Sequence, residues 1–294
     1  MKRLAASIRR VGLIANPEKP NAARLARRAA RILRGLKRTV SCDPDSHAVL
    51  GDDIPSAESL DDLARNSDLL LVVGGDGTML RVARAVAGLP VPLLGINAGT
   101  LGFLTAVPSS RLAEALRKIP AGKFVLEERA LLEATVTHEG MTTTSIALND
   151  FVLSRGQTSR LIEIEVSVNG ELLTRYRCDG FIASSPTGST AYSLAAGGAI
   201  VSPDAEVLTL TPICPHTLSI RPLVVGLSSE VLVRVTSPRL VAILAADGQQ
   251  QVDLESGDTV RIHRSARTVR LLRLSGTSFF GTLRHKFGWS GGNL

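Results

Sequence analysis

The most chemically loaded stretch is Gly74-Gly75-Asp76-Gly77-Thr78, a carboxylate set among glycines. Glycines let a backbone approach phosphate closely, and a helix that starts there adds free N–H groups and a positive dipole end. A carboxylate in that place repels phosphate unless it binds a metal or takes a proton. The plain alternative is a tight turn in which Asp76 caps the helix. A second stretch, Asp179 to Gly198 (DGFIASSPTGSTAYSLAAGG), concentrates small hydroxyl residues that could cradle ribose or phosphate oxygens. Within it Tyr192 offers a ring that could stack on a base. Asn149-Asp150 follows an apolar segment; Asn both donates and accepts, and Asp accepts from a diol, so the pair suits a ribose, or else a turn at a strand end. Two other common phosphate signatures are absent: there is no GxGxxG at the Asp76 turn and no GK[ST].

The elements that must carry these residues change texture along the chain. In the first part the pattern predicts strands at Val11–Ala15, Leu69–Val73 and Val91–Ile96 and helices at Asn21–Arg38, Met79–Ala87 and Arg111–Ile119. LLLVV at 69–73 is an unbroken apolar run of the kind buried on both faces of a parallel sheet. Strands alternating with helices imply crossover connections. Beyond Phe124 the pattern is mostly antiparallel: Ala130–Val136, Ser145–Leu153, Leu161–Val168, Glu171–Cys178, Val207–Leu210, Glu230–Val235, Val241–Ala246 and Thr259–His263. Asn169-Gly170 is a strong hairpin signal and Asp247-Gly248 a weaker one. The Gly-rich end, Thr277–Leu294, is either frayed or docked back.

The 294 residues are 44% hydrophobic and 21% charged, which excludes wholesale disorder. Seven Phe, two Tyr and one Trp are too few for a platform of stacked bases. The net charge of +7 favours anionic partners. Arg24, Arg27, Arg28, Arg31, Arg34, Lys37 and Arg38 share one predicted helix, a pattern more typical of a solvated face than of nucleic-acid binding. Three cysteines without CxxC spacing fit a reducing cytoplasm. The start lacks an uninterrupted apolar h-region, and no apolar run approaches a membrane span. The histidines, His216 among them, form no HxH or HxxxH pattern, so a built-in zinc site is not expected.

Taken together, GGDGT, LGFL at Leu101–Leu104, LND at Leu148–Asp150, the DGFIASSPTGSTAYSLAAGG stretch, PHTLS from Pro215, RPLV at Arg221–Val224 and DGQ at Asp247–Gln249 resemble the NAD kinase family, its bacterial branch in particular. The resemblance implies a Rossmann-like N-terminal α/β domain (1–124, with 271–294 packed back on it) and an all-β C-terminal, NAD-binding domain (125–270). It implies phosphoryl transfer from ATP or inorganic polyphosphate to the adenosine-ribose 2′-hydroxyl of NAD. Asp76 then matches the general base, and Gly74, Gly75 and Thr78 the phosphate-donor loop. The NAD-binding set is Gly77, Arg81, Phe103, Asn149, Asp150, Arg160, Arg177, Asp179, Thr190, Ala191, Tyr192, Ser193, Leu194, Ala195 and Gln249. Arg81 matches a phosphate contact, Arg160 and Arg177 pyrophosphate contacts, and Asp179 the nicotinamide end or a neighbouring subunit's ligand. Asp150 stands where many relatives have Glu. No protein metal ligand is implied; Mg²⁺ or Mn²⁺ arrives with the donor. The resemblance further implies a cytoplasmic homodimer or homotetramer with no nucleic-acid or membrane partner. Two other readings are a lipid kinase of the diacylglycerol type, which shares GGDGT but lacks TGSTAYS, and an inactive dinucleotide sensor, which would have no need of Asp76.

Overall fold

The computed structural model describes residues 8–156, 160–217, 219–237 and 241–289. They form two compact units, one ending at Glu128 and resuming at Thr268, the other running from Arg129 to Arg267. Both boundaries fall inside long strands, Phe124–His138 and Thr259–Leu274.

The first unit is a parallel sheet. β1 (Arg10–Ala15) lies between β2 (Thr39–Cys42) and β3 (Leu69–Gly74), and β3 pairs with β4 (Pro92–Asn97). Every residue of β3 and β4 is buried, which explains their continuous apolar runs. Helix α1 (Pro20–Gly35) buries Ala22, Leu25, Ala26, Ala29, Ala30 and Leu33, one stripe at helical spacing. Its opposite face carries the arginines. Arg24, Arg28 and Arg31 are exposed, while Arg27 and Arg34 donate to carbonyls of Val49, Leu50 and Asp53. The helix ends at Gly35 rather than Arg38, because Lys37 takes a positive φ of 58° as the chain turns into β2. Helices α2 (Pro44–Leu50) and α3 (Leu60–Arg65) complete the connection to β3.

Two boundaries matter for the site. The helix after β3, α4, spans Asp76–Ala85, not Met79–Ala87; Asp76 is its first residue and Arg81 falls in its second turn. β4 is followed by an irregular stretch, the two-residue β5 (Val107–Pro108) and α5 (Leu112–Lys118).

The second unit is antiparallel. One sheet has the order β13-β12-β11-β8-β15-β16, where β8 is Asp150–Ser154, β11 Gly180–Ser184, β12 Val207–Ile213, β13 Leu223–Gly226, β15 Ala242–Ala246 and β16 Gln250–Leu254. The other joins β10 (Glu171–Cys178), β9 (Ile162–Val168), β14 (Val231–Val235) and the first part of β17 (Thr259–Leu274), and β6 (Phe124–His138) pairs with β7 (Met141–Ala147). Phe151 and Phe181 come to its core from one sheet and Ile164, Val166 and Val233 from the other. Where one strand was expected over Ser145–Leu153, there are two, β7 and β8, interrupted at Leu148-Asn149. The expected strand Thr259–His263 continues to Leu274, where Arg270 and Leu271 pair in parallel with Pro92 and Leu93 of the first unit's sheet.

The tail is docked rather than frayed up to residue 289. Helix α7 (Phe279–Phe287) is capped by Ser278, whose hydroxyl accepts from Gly281 N–H, and ends at Gly288 in the left-handed region. Among the described residues, no helix is long and apolar enough to cross a membrane.

Candidate active site

In the first unit, β3 delivers the chain to Gly75, the extended residue before α4, and Asp76 opens the helix. The Asp76 carboxylate does not cap that helix. It turns to the irregular stretch after β4 and accepts Phe103 N–H at Oδ2 (2.8 Å) and Leu104 N–H, Thr105 N–H and the Thr105 hydroxyl at Oδ1 (3.1, 2.9 and 2.9 Å). Thr105 is fully buried, and its hydroxyl also accepts from Asn97 Nδ2 (2.9 Å), so its own proton points at Asp76. Gly102 makes the close approach possible: a Cβ there would lie 1.9 Å from Asp76 Oδ1.

These donors saturate Oδ1 and leave Oδ2, with one amide, able to accept one more hydrogen bond. Asp76 is half-buried and Gly77 exposed, so the turn itself lies at an accessible rim. Thr78, in contrast, is buried, and its hydroxyl accepts from Asn16 Nδ2 (3.0 Å); it ties the turn to the end of β1 rather than presenting itself to a donor phosphate. Arg81 pairs with Asp45 at 3.5 Å and stays about two-fifths exposed. The Phe103 ring packs against Phe279 and Phe287 of α7, both at 6.2 Å between centroids.

In the second unit, Asp247 does for Leu148–Asp150 what Asp76 does for 103–105. Its carboxylate accepts Leu148 N–H at Oδ2 (3.1 Å) and Asn149 and Asp150 N–H at Oδ1 (2.7 and 3.3 Å). Asp247 and Gly248, at φ 49° and 66°, form the tight turn between β15 and β16 that sets this carboxylate beside the break between β7 and β8. With its backbone so held, the half-buried Asn149 keeps its side-chain amide without an intramolecular partner among the described residues. The Asp150 side chain is 4% exposed, and burial followed by the nearby Asp247 charge pushes its carboxyl up to about 7.

The hydroxyl-rich stretch is largely turned on itself. Ser184, Ser185, Ser189 and Ser193 are fully buried. Ser185 donates to Leu148 C=O (2.6 Å), Ser189 to Pro186 C=O (2.7 Å), and Ser193 bonds the Thr211 hydroxyl (3.0 Å). Those hydroxyls shape the loop instead of lining a cradle, which corrects the expectation for Ser193. Thr190, Ala191, Leu194 and Ala195 remain at least partly accessible, and Tyr192 is 48% exposed. The expected helix is one 3₁₀ turn, Gly188–Thr190, and one α turn, α6 (Tyr192–Ala195).

The sheet register separates the remaining candidates. Asp150 pairs with Ser184, and Phe151 with Ala246, so Asn149, the loop after Ser184, Asp247 and Gln249 gather at one edge. Asp179 precedes the other end of β11, roughly 16 Å along the strand. It pairs with Arg155 at 2.8 Å, and Arg177 faces Glu163 across β9 at 3.8 Å. Arg160 is exposed. Arg177 and Asp179 are thus not brought to the Asn149 edge. Asn97, Gly102, Thr105 and Asp247 were absent from the predicted site; their roles are contacts to backbone or carboxylate that no local motif records, although LGFL and DGQ do mark their neighbourhoods.

Two family models match the chain: the ATP-NAD kinase N-terminal domain over residues 11–124 and the ATP-NAD kinase C-terminal domain over 148–274. The NAD kinase of Moorella thermoacetica is 42% identical over 95% of this chain and 89% of its own, and that of Syntrophotalea carbinolica 40% identical over 96% and 99%. Among solved structures, yeast NADH kinase complexed with NADH superposes with a TM-score of 0.89 at 26% identity, covering 98% of this chain and 89% of the yeast one. An NAD kinase from Archaeoglobus fulgidus in complex with ATP gives 0.72 at 26% identity, covering 95% and 97%. With both halves matched by their respective domain models, and relatives of 40% identity or more aligned over nearly their full length, the chain belongs to the NAD kinase family, enzymes that convert NAD to NADP.

Proposed function

We propose that Asp76 is the proton acceptor of this NAD kinase and that Oδ2 is the atom that does the work. The observation that carries the reading is the unequal loading of its two oxygens, three donors on Oδ1 and one on Oδ2. As the bond forms between the ribose 2′-oxygen and the transferred phosphorus, and the bond from that phosphorus to the donor's bridging oxygen breaks, the hydroxyl proton passes to Oδ2. Phosphoryl transfer asks chiefly for alignment and charge stabilisation, so fixing Asp76 through Oδ1 is as important as its basicity. The amides on the carboxylate and the N-terminus of α4 offset a negative charge that would otherwise repel the donor.

Asn149 and Asp150 hold the ribose diol in this reading, with the Tyr192 ring and the accessible groups from Thr190 to Ala195 around the base. Gln249 borders the same edge, and Arg81 and Arg160 supply cationic groups for phosphates. Asp179, set apart by the length of β11, fits the nicotinamide end or a neighbouring subunit's ligand, which would suit a homodimer or homotetramer, and Arg177 keeps its reading as a pyrophosphate contact. ATP is the donor that the archaeal neighbour's complex supports; polyphosphate stays an alternative substrate. Among the described residues, no group of three or more His, Cys, Asp or Glu is placed to hold a metal, and Asp76 Oδ1 is already saturated. In this reading a divalent cation arrives with the donor substrate. Three cysteines without a disulfide among them suit the cytoplasm.

The purified protein should form NADP from NAD with MgATP or a magnesium–polyphosphate donor, and EDTA should stop turnover without moving the thermal midpoint. A fall in Tm on chelation would reveal a structural metal instead. Asp76→Asn keeps one accepting oxygen but turns an NH2 toward a backbone N–H, so its melting midpoint should fall while the protein still folds; at a temperature where it is folded it should lose about 10²–10⁴-fold in kcat, and unimpaired turnover would refute the assignment of the acceptor.

Asn149→Ala should raise KM for NAD about tenfold while leaving KM for the donor nearly unchanged, since the lost contact is worth ~1–3 kcal/mol. An effect confined to the donor would reverse the two substrate sites.

The pH response of Asp150 has a defined sign. Its folded-state carboxyl is raised to about 7 above an ordinary value of 3.8, so the folded protein holds the proton more tightly. Stability is greatest below the lower value and declines as pH rises through about 7. Asp150→Asn removes that decline. Its Tm relative to the parent should therefore increase from pH 5 to pH 8, on the order of several °C; melting curves with a constant gap would show that Asp150 ionises freely.

A further inference from the structure

We infer that Lys286, on the C-terminal helix α7, is a positioning residue for Asp76, acting through the backbone of Leu101–Phe103. The inference rests on Asp76 being the proton acceptor and adds to it a requirement located some 200 residues further along the chain.

The stretch from Leu101 to Thr105 is poorly anchored by itself. Among the described residues it makes no backbone–backbone hydrogen bond, and three of its amides have the Asp76 carboxylate as partner. Such an arrangement fixes neither side independently, because a shift of the stretch carries the carboxylate with it. Gly102, which must lack a side chain to admit Asp76 Oδ1, also leaves the backbone at its most pliable point. Thr105 and Asn97 anchor the Oδ1 end from within the unit's interior. The Oδ2 end depends on Phe103, and the anchors of Phe103 come from α7.

Those anchors are specific. Lys286 Nζ donates to Leu101 C=O at 2.9 Å and sits 5.0 Å from the centroid of the Phe103 ring. One ammonium therefore pins the carbonyl before Gly102 and the ring after it, by a charge-assisted hydrogen bond and a cation–π contact. Phe279 and Phe287 both pack on the same ring, and Phe103 N–H reaches Oδ2 at 2.8 Å. Leu101 is only half-buried, so its carbonyl could turn to water if Lys286 were lost. The stability cost of losing it is accordingly small. The catalytic cost is larger, because misplacement of a reacting group by ~1 Å can cost about a hundredfold in rate.

Lys286→Met keeps an unbranched apolar stem out to Cε and removes the ammonium with both of its contacts. In the full-length enzyme it should lower kcat about tenfold or more, leave KM for NAD within about twofold, and leave the thermal midpoint nearly unchanged. Lys286→Arg should retain most of the rate. Introduced into Asp76→Asn, Lys286→Met should change the residual turnover by less than about twofold, since the group it positions is gone. Phe287→Leu gives a second route that leaves the charge in place, and should lower kcat in the same direction by a smaller factor. The inference is overturned by parental kcat in Lys286→Met or, should that variant not fold, in Phe287→Leu. A loss that appears only in KM, or one of equal size in the Asp76→Asn background, overturns it as well. Full turnover in Asp76→Asn alone would instead refute the acceptor assignment, a separate outcome read from a separate variant.

Discussion

A buried or half-buried carboxylate that gathers consecutive backbone amides is the interaction on which both halves of this chain depend. Asp76 takes the amides of 103–105 and Asp247 those of 148–150. In each case a short irregular segment between regular elements has donors that no sheet or helix can satisfy. The charge meets that need, and the segment in turn fixes where the carboxylate points. The device gives irregular backbone the rigidity of a ladder without its regularity, which is what a site for a flexible dinucleotide requires.

The two cases differ in how the donors are shared. Asp247 takes two amides on Oδ1 and one on Oδ2, whereas Asp76 takes two amides and a hydroxyl on Oδ1 and one amide on Oδ2. Asp150 is the converse: its own amide is held by Asp247, while its carboxyl carries a high proton affinity beside that same charge. Three aspartates thus divide into an anchor, an anchor that we propose also accepts a proton, and a group whose proton affinity is raised first by burial and then by its neighbour. Their residue type is identical; burial and donor count separate their roles.

Much of this was legible in the chain. LLLVV at 69–73 read as a doubly covered strand and GGDGT as the turn from that strand into a helix, because apolar continuity and glycine spacing are local signals. The helix start was placed three residues late, since glycines on both sides of Asp76 mask an N-terminus that tertiary contacts decide. The strand expected through Leu148-Asn149 failed for a similar reason: its break is enforced by Asp247, 97–99 residues away. The serines after Ser184 misled in another way. A hydroxyl suits a ligand and a neighbouring protein group equally well, and only burial reveals that Ser185 and Ser189 turned to carbonyls and Ser193 to the Thr211 hydroxyl. The contact of Lys286 with Leu101 spans 185 residues, and nothing in a Gly-rich, aromatic tail announces its target.

The tail also carries the chain's single tryptophan. Trp289 follows Gly288 at the end of α7, with its ring 5.4 Å from that of Phe287, which itself packs on Phe103. All indole emission from this protein therefore originates two ring contacts from the backbone that orients Asp76. More than half exposed, that indole borders water and a small aromatic cluster at once, so its emission wavelength and quenching respond to any loosening of the helix. The protein comes with its own optical gauge for the seating of the tail, one that needs neither label nor substrate.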